Sequence, residues 1–168
     1  MKMYQIEEVK PFMAQLLLQE TFDKFCVSVA EIRTIVPITI KGTMSHDWLS
    51  PEDAEKYKEL EYIPWKLLRP VVFELIKGKQ TPDFRHYIFL QIHYHLKFLI
   101  NCLLKIQFVY YSENGDCGGL RVQFEAGTLT CLSTYTPAEF SLDRNAETFW
   151  DENCQAFLKK HEIVSTQL

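Results

Sequence analysis

Two histidines stand two residues apart near the middle of the chain, at His93 and His95. On a β-strand alternate side chains share one face, so both imidazoles would meet the same metal ion. His86 could supply a third ligand only if the chain bends back. Because no acid or cysteine stands nearby at a metal-ligand spacing, two ordinary histidines at a strand end are the alternative. A metal-dependent hydrolase using His93 and His95 is therefore one hypothesis, although we expect no metal site.

Nucleophilic catalysis needs a reactive group beside its activator, and the sequence offers no such pair. Residues 45–47 (Ser-His-Asp) have the residue types of a catalytic triad, but adjacent residues point apart and cannot form its relay. Residues 117–119 (Cys-Gly-Gly) resemble a nucleophile loop, and a hairpin turn is the simpler interpretation. The motifs for phosphate loops, dinucleotide binding and zinc proteases do not occur. We expect no catalytic residue and no cofactor, and favour a protein that is not an enzyme.

Cations gather on one side of a helix predicted over residues 64–77, whose sequence is PWKLLRPVVFELIK. At about 100° per residue, Lys66, Arg69 and Lys77 fall on this side. Residues 64–88 hold five cations against two acids, in a chain whose net charge is −4. We predict that these cations and the aromatic residue among them form a contact surface for a partner protein, nucleic acid or other anion. This surface, the basic strip, consists of Lys66, Arg69, Phe73, Lys77, Lys79 and Arg85.

The opposite arc of this helix is apolar, so we expect it to be buried: Leu67, Leu68, Val71, Val72, Leu75 and Ile76. Phe73 falls among the cations, where it could stack on a base or anchor a partner. Alternatively, Pro70, which should kink or split the helix, rotates its second half and buries Phe73. In that case the cations only keep this face soluble. Both interpretations remain open.

Patterns in the first half of the chain predict a helix over residues 7–18, with Pro11 in its opening turn. Two-residue alternation predicts strands over residues 25–30 and 36–40. Pro37 suits the first residues of an edge strand because it cannot donate a backbone hydrogen bond. Ser50, followed by proline and two acids, predicts the N-cap of a short, solvated surface helix.

The middle of the chain predicts a strand over residues 84–92 and leaves residues 94–105 open between helix and strand. Leucines and an isoleucine recur at helical spacing in residues 94–105, so we favour helix there. Residues 114–119 contain Asn-Gly and Gly-Gly pairs, which predict a flexible turn.

Alternation then predicts strands over residues 120–124, 128–134 and 140–142, with Ala126 and Gly127 forming the tight connection between the first two. Residues 145–161 predict a final helix, with acids in its first half and lysines at its end, as the helix dipole favours. Its apolar residues recur at helical spacing: Ala146, Phe149, Trp150, Cys154, Phe157 and Leu158.

Composition describes an ordinary globular protein of 168 residues, of which 47% are hydrophobic. A pI near 5.7 argues against a dedicated nucleic-acid-binding protein. Five scattered cysteines without a C-x-x-C pair indicate reduced thiols in the cytosol, mostly buried as small hydrophobes. The most apolar region, residues 84–111, is interrupted by charges, so we expect no membrane span. We expect a cytoplasmic protein, and its oligomeric state stays open.

The sequence resembles an uncharacterised family of small proteins from clostridial-type bacteria, in these stretches: EYIPWKLLRP at 61–70, FELIKGK at 73–79, FSLD at 140–143, WDE at 150–152 and KKHE at 159–162, together with the opening helix and TFD at 21–23. The similarity spans nearly the whole chain and is weakest over residues 93–116. Because the function of that family is unknown, the resemblance implies no catalytic residues.

The order of elements also resembles one domain of a DNA sliding clamp: a helix, several strands, a helix that opens with Ile-Pro, then antiparallel strands. In such clamps helices carry cations toward DNA, and Lys66, Arg69 and Lys77 lie on the corresponding helix. Encircling DNA takes several domains, so a lone domain would have to oligomerise. The acidic C-terminal helix departs from the clamp pattern. This likeness implies nucleic-acid association as an alternative function.

We therefore expect one α+β domain over residues 1–168, an antiparallel sheet flanked by helices. Apolar faces of residues 12–18, 67–76 and 149–158 should pack against the sheet. The leading hypothesis for function is a non-enzymatic cytosolic binding module that uses the basic strip.

Overall fold

A computed structural model describes residues 1–33, 37–76, 103–111, 116–139 and 144–168. In these ranges the chain forms four α-helices: α1 (Val9–Leu17), α2 (Pro51–Tyr57), α3 (Trp65–Ile76) and α4 (Asn145–Lys160). It forms eight strands: β1 (Met3–Ile6), β2 (Cys26–Arg33), β3 (Pro37–Lys41), β4 (Ile63–Pro64), β5 (Leu103–Tyr111), β6 (Cys117–Glu125), β7 (Thr128–Thr136) and β8 (Ser165–Gln167). The predicted α+β fold is confirmed.

The eight strands make one sheet in the order β3-β2-β5-β6-β7-β1-β8, with the short β4 also paired to β2. Neighbouring strands within the described ranges are antiparallel. Pro37 begins β3 at one edge of the sheet, as predicted, since its missing N–H is tolerated there. The Ser50 cap is also confirmed, because its hydroxyl accepts a hydrogen bond from the backbone N–H of Asp53 at 3.2 Å.

The hydrophobic core lies on one face of the sheet, against the helices. Alternate residues of the strands point into it because side chains alternate between the two faces. The aromatic ring of Phe108 on β5 stacks on Phe22 at 5.4 Å between ring centres and meets Trp65 of α3 edge-on at 5.3 Å. The helices contribute further large buried side chains: Phe12 and Leu16 from α1, Leu68 and Val72 from α3, and Leu158 from α4.

Helix α3 buries a different arc from the one predicted. Trp65, Leu68 and Val72 are buried, whereas Leu67, Val71 and Leu75 are 41%, 52% and 37% exposed. At about 100° per residue the centre of the buried arc is rotated by about 40° from the centre of the predicted one. The indole N–H of Trp65 donates to the carbonyl of Leu16 at 2.9 Å, which fixes this rotation. The helix continues through Pro70, so the predicted split does not occur.

Helix α4 also differs from its predicted face. Phe149, expected in the packed face, is 65% exposed, and Asp151, one of the acids in the first half of the helix, is buried with Cys154 and Leu158. A buried carboxylate needs partners, and Asp151 accepts a hydrogen bond from the Ser133 hydroxyl and lies 2.9 Å from the Met1 ammonium group. These polar contacts turn the helix so that Asp151 faces β7.

Two glycines expected in a turn lie within a strand. Gly118 and Gly119 belong to β6, so the turn predicted over residues 114–119 is wrong at these two positions. Residues 103–105 lie in β5, which corrects the preference for helix at the end of residues 94–105. The connection at Ala126 and Gly127 is confirmed, with positive φ angles of 49° and 81°. Predictions over residues 84–92, 94–102, 112–115 and 140–142 fall outside the described residues.

Candidate functional site

Three residues of the basic strip lie on α3, and each has a different environment. Lys66 is exposed, and its ammonium group lies 5.4 Å from the centre of the Tyr57 ring. The guanidinium of Arg69 lies 3.3 Å from the carboxylate of Asp23 and donates to the carbonyl of Gln19. Phe73 is half-buried and packs against the core. The remaining strip residues are outside the described residues: Lys77, Lys79 and Arg85.

The outward face of α3 combines Lys66 with an apolar ridge, defined as Leu67, Val71 and Leu75. These three side chains recur every four residues and therefore share one side of the helix. Pro70 is exposed on the neighbouring side, between Lys66 and the ridge. The exposed surface of this helix is thus more apolar and less cationic than the sequence predicted.

A second surface feature is an apolar cleft between α4 and the segment that leads into β2. Its volume is about 290 Å³, and it is lined by Lys24, Phe25, Leu120, Trp150, Asn153, Cys154 and Phe157. The Phe25 and Phe157 rings meet edge-on, with centres 5.3 Å apart, and Phe22 supports Phe157 from the core at the same distance. Edge-to-face rings hold one another in place, so this wall of the cleft is preorganised.

The opposite wall of the cleft is the indole ring of Trp150. A β-carbon on Gly118 would lie 2.5–2.7 Å from atoms of this ring, so the ring packs directly on the glycine backbone. The indole N–H donates to the carbonyl of Gly119 at 3.0 Å, which orients the ring further. The glycine pair in β6 therefore leaves the space beside the backbone that the Trp150 ring occupies.

A polar mouth adjoins the apolar cleft and shares Lys24 and Phe157 with it. Its volume is about 380 Å³, and we define it by its polar side chains: Gln19, Glu20, Thr21, Lys24, Lys160 and His161. Burial lowers the pKa of His161 below its ordinary value, and the positive charges of Lys160 and Lys24 lower the pKa further. The ring of His161 lies 4.7 Å from that of Phe157, so the mouth continues from the apolar wall.

The described thiols at the cleft and in the core are poor nucleophiles. Burial raises the pKa of Cys154 to about 12, and the nearby charge of Asp151 contributes to this increase. Burial also raises the pKa values of Cys131 and Cys26. Because the thiolate is the reactive form, these three thiols are unreactive at neutral pH. The expectation of buried cysteines is confirmed for Cys131 and Cys154.

A metal site is another hypothesis that follows from the sequence. Within the described ranges, no three or more His, Cys, Asp or Glu side chains cluster in a way that could hold a metal ion. His86, His93 and His95 lie outside those ranges, so the two-histidine hypothesis stays a prediction. Of the helices in the described part of the chain, none has the length and apolarity that crossing a bilayer requires.

Sequence reasoning missed the cleft because its walls come from three distant segments. Residues 24–25, 120 and 150–157 lie far apart in the chain, and each segment by itself has the pattern of ordinary core. One signal was present: Lys160 and His161 follow Phe157 by three and four residues, which places them beside it on the last turn of a helix.

Comparison with known protein families finds a match over most of the chain. The model of a family of unknown function (DUF5721) matches residues 15–165, a range that includes every residue named as lining the cleft and its mouth. No curated protein matches the chain, and no solved structure matches it. The likeness to one domain of a sliding clamp stays a prediction.

Proposed function

The chain belongs to the DUF5721 family, a family of unknown function, and we propose that it is a non-enzymatic binding protein. Its ligand, in this proposal, is a small apolar molecule that enters the cleft between Phe25, Trp150 and Phe157. The single observation that carries the proposal is this preorganised aromatic cleft of about 290 Å³. Ligand pockets in proteins are concave, mostly apolar and largely preformed, with volumes from about 300 Å³ upward.

The chemistry of the cleft supports binding rather than catalysis. The thiol of Cys154 in its lining is protonated at neutral pH, and the amide of Asn153 is neither an acid nor a base. Among the residues that the structure describes, Lys24 is the single charged one in this lining. Covalent or acid–base catalysis requires a nucleophile beside a base, and this lining does not supply that pair.

Decan-1-ol, a neutral apolar probe, tests the proposal by titration of tryptophan fluorescence. The Trp48→Phe variant serves as the parent, because Trp48 is 91% exposed and contributes background. We expect a saturable change in the emission of Trp150 and an increase in Tm, since a ligand that binds the folded state stabilises it. Absence of saturable binding would overturn the proposal.

A pair of matched variants locates the bound probe. Asn153→Phe places a large side chain in the cleft without adding a tryptophan to the signal, whereas Glu152→Phe places the same side chain on the neighbouring exposed position of α4. We expect Asn153→Phe to abolish the saturable response and Glu152→Phe to retain it. Equal binding by both variants would show that the probe binds elsewhere.

The second candidate function is binding of a partner protein through the outward face of α3. It develops the hypothesis that the basic strip is a contact surface. The exposed apolar ridge beside Lys66 favours it, because apolar side chains flanked by a cation suit a protein contact. Arg69 is held by Asp23, so the test replaces Lys66 and Lys77 by Glu and, separately, Leu67 and Val71 by Ser. We expect either pair to abolish capture of a partner from lysate, while a Lys10→Glu variant retains it.

Nucleic-acid association through the same strip makes a different prediction. Binding to phosphates releases counterions, so affinity for a labelled DNA duplex should fall steeply with added salt. An affinity for DNA that does not change with ionic strength, or no binding of DNA, would contradict nucleic-acid association. The metal-dependent alternative predicts bound metal in the purified protein, and its loss in a variant with both His93 and His95 replaced by Ala.

A further inference from the structure

The polar mouth lies at the end of the apolar cleft, and from this arrangement we infer that the ligand is an amphiphile with a carboxylate head group. This inference rests on the proposed function, because it assigns the head group of a molecule whose apolar tail occupies the cleft. Lys24 and Phe157 line both hollows, so a single extended molecule can occupy the two. The tail would lie between Trp150 and Phe157, and the head group would lie beside Lys24, Lys160 and His161.

Charge complementarity selects the head group. In the described part of the chain, two lysines, Lys24 and Lys160, line the mouth against one carboxylate residue, Glu20. Lys24, Lys160 and His161 line this same hollow, so a bound anion can contact both ammonium groups. Gln19 and Thr21 add polar side chains that can donate hydrogen bonds to a carboxylate. A cationic head group would meet like charges and would bind more weakly.

Three probes with the same ten-carbon tail test the inference: decanoate, decan-1-ol and decylammonium. Affinities are measured at neutral pH by the fluorescence titration described above. We expect decanoate to bind most tightly, decan-1-ol next and decylammonium least. Each exposed charge contact contributes a modest amount, so we expect each step to change Kd by about two- to fivefold. The preference for decanoate should shrink with added salt, since salt screens exposed charges.

Matched lysine variants separate the mouth from the general charge of the protein. Lys24→Gln and Lys160→Gln remove charges that line the mouth, whereas Lys159→Gln removes the neighbouring charge on α4, which does not line it. We expect the first two variants to lose the preference for decanoate over decan-1-ol and the third to keep it. Decanoate should also raise the pKa of His161, measured by NMR, because a bound anion stabilises the imidazolium form.

The outcomes distinguish the two proposals. Equal affinity for all three probes would overturn the carboxylate head group and leave the apolar binding function standing. A preference for decanoate that survives in Lys24→Gln and Lys160→Gln would also overturn the assignment of the head group to this mouth. If none of the probes binds, both proposals are wrong.

Discussion

The indole ring of Trp150 packs so closely over Gly118 that a β-carbon at this position would lie 2.5 Å from the ring. Glycine in the middle of a strand weakens the strand, and it is found where another group must approach the backbone closely. Here the approaching group is the ring that forms one wall of the apolar cleft. The sequence feature that suggested a turn therefore has a packing role instead.

Gly118→Ala should consequently destabilise the protein. The added methyl group must push the Trp150 ring away from β6, and overpacking of this kind costs about 1–3 kcal/mol. The free energy of unfolding, measured by urea denaturation, should fall by that amount. The emission spectrum of Trp150 should shift as well, because the displaced ring becomes more exposed.

A double-mutant cycle identifies the cause of this loss. In a Trp150→Ala background the clash is absent, so Gly118→Ala should lower the free energy of unfolding by less there than in the natural sequence. An equal cost in both backgrounds would mean that the β6 strand itself, rather than the ring, rejects alanine.

The rotation of α3 depends on Trp65, and Trp65→Phe tests this dependence. Phenylalanine keeps an aromatic ring in the core but removes the N–H that donates to the carbonyl of Leu16. Leaving that buried carbonyl without its partner should lower the free energy of unfolding by about 1–3 kcal/mol. Trp48→Phe is the matched control, and at 91% exposure it should change stability by less than about 0.5 kcal/mol. Equal effects of the two substitutions would contradict the anchoring role.

Much of the fold could be predicted because it depends on local patterns. Alternation over residues 25–30 and 128–134 predicted strands, and the strands are present. The rotation of α3 could not be predicted in this way, because the hydrogen bond from Trp65 joins residues that lie 49 positions apart. A helical wheel ranks Leu67 and Leu68 alike, and only the tertiary contact decides which of them is buried.

The candidate site was less predictable for the same reason. Its apolar residues, such as Phe157 and Leu120, have the types and spacing of ordinary core residues. What makes them a cleft is the meeting of α4 with the segment before β2, which no local spacing encodes. The basic strip, by contrast, was visible in the sequence, but the pairing of Arg69 with Asp23 was not.

That pairing leads to a third prediction. The side chains of Arg69 and Asp23 are only 17% and 20% exposed, so their ion pair is screened less than a surface pair. A double-mutant cycle of Arg69→Met and Asp23→Asn should give a coupling free energy of about 1 kcal/mol. Lys66→Met, on the exposed side of the same helix, should change stability by less than about 0.5 kcal/mol. A coupling free energy near zero would contradict the structural role of Arg69.

The fourth prediction concerns pH and follows from the lowered pKa of His161. The unfolded chain binds a proton at His161 near pH 6.5, whereas the folded protein binds it only at a lower pH. Between these two pKa values the unfolded state holds more protons, so stability should fall as the pH decreases through this window and level off below it. His161→Gln should remove this part of the pH dependence, measured by urea denaturation from pH 7.5 to pH 5.

Lys24→Gln gives the matched test of the cause. Removing this charge should raise the pKa of His161 toward its ordinary value. The pH range over which stability falls should then become narrower. Glu20, the acid at the mouth, stays in place in this variant. Lys159→Gln removes a charge outside the mouth and should narrow this pH range less. If the pH dependence is the same in the natural sequence and in His161→Gln, the mouth does not hold the imidazole in its neutral form, and the electropositive environment inferred for the head group is wrong.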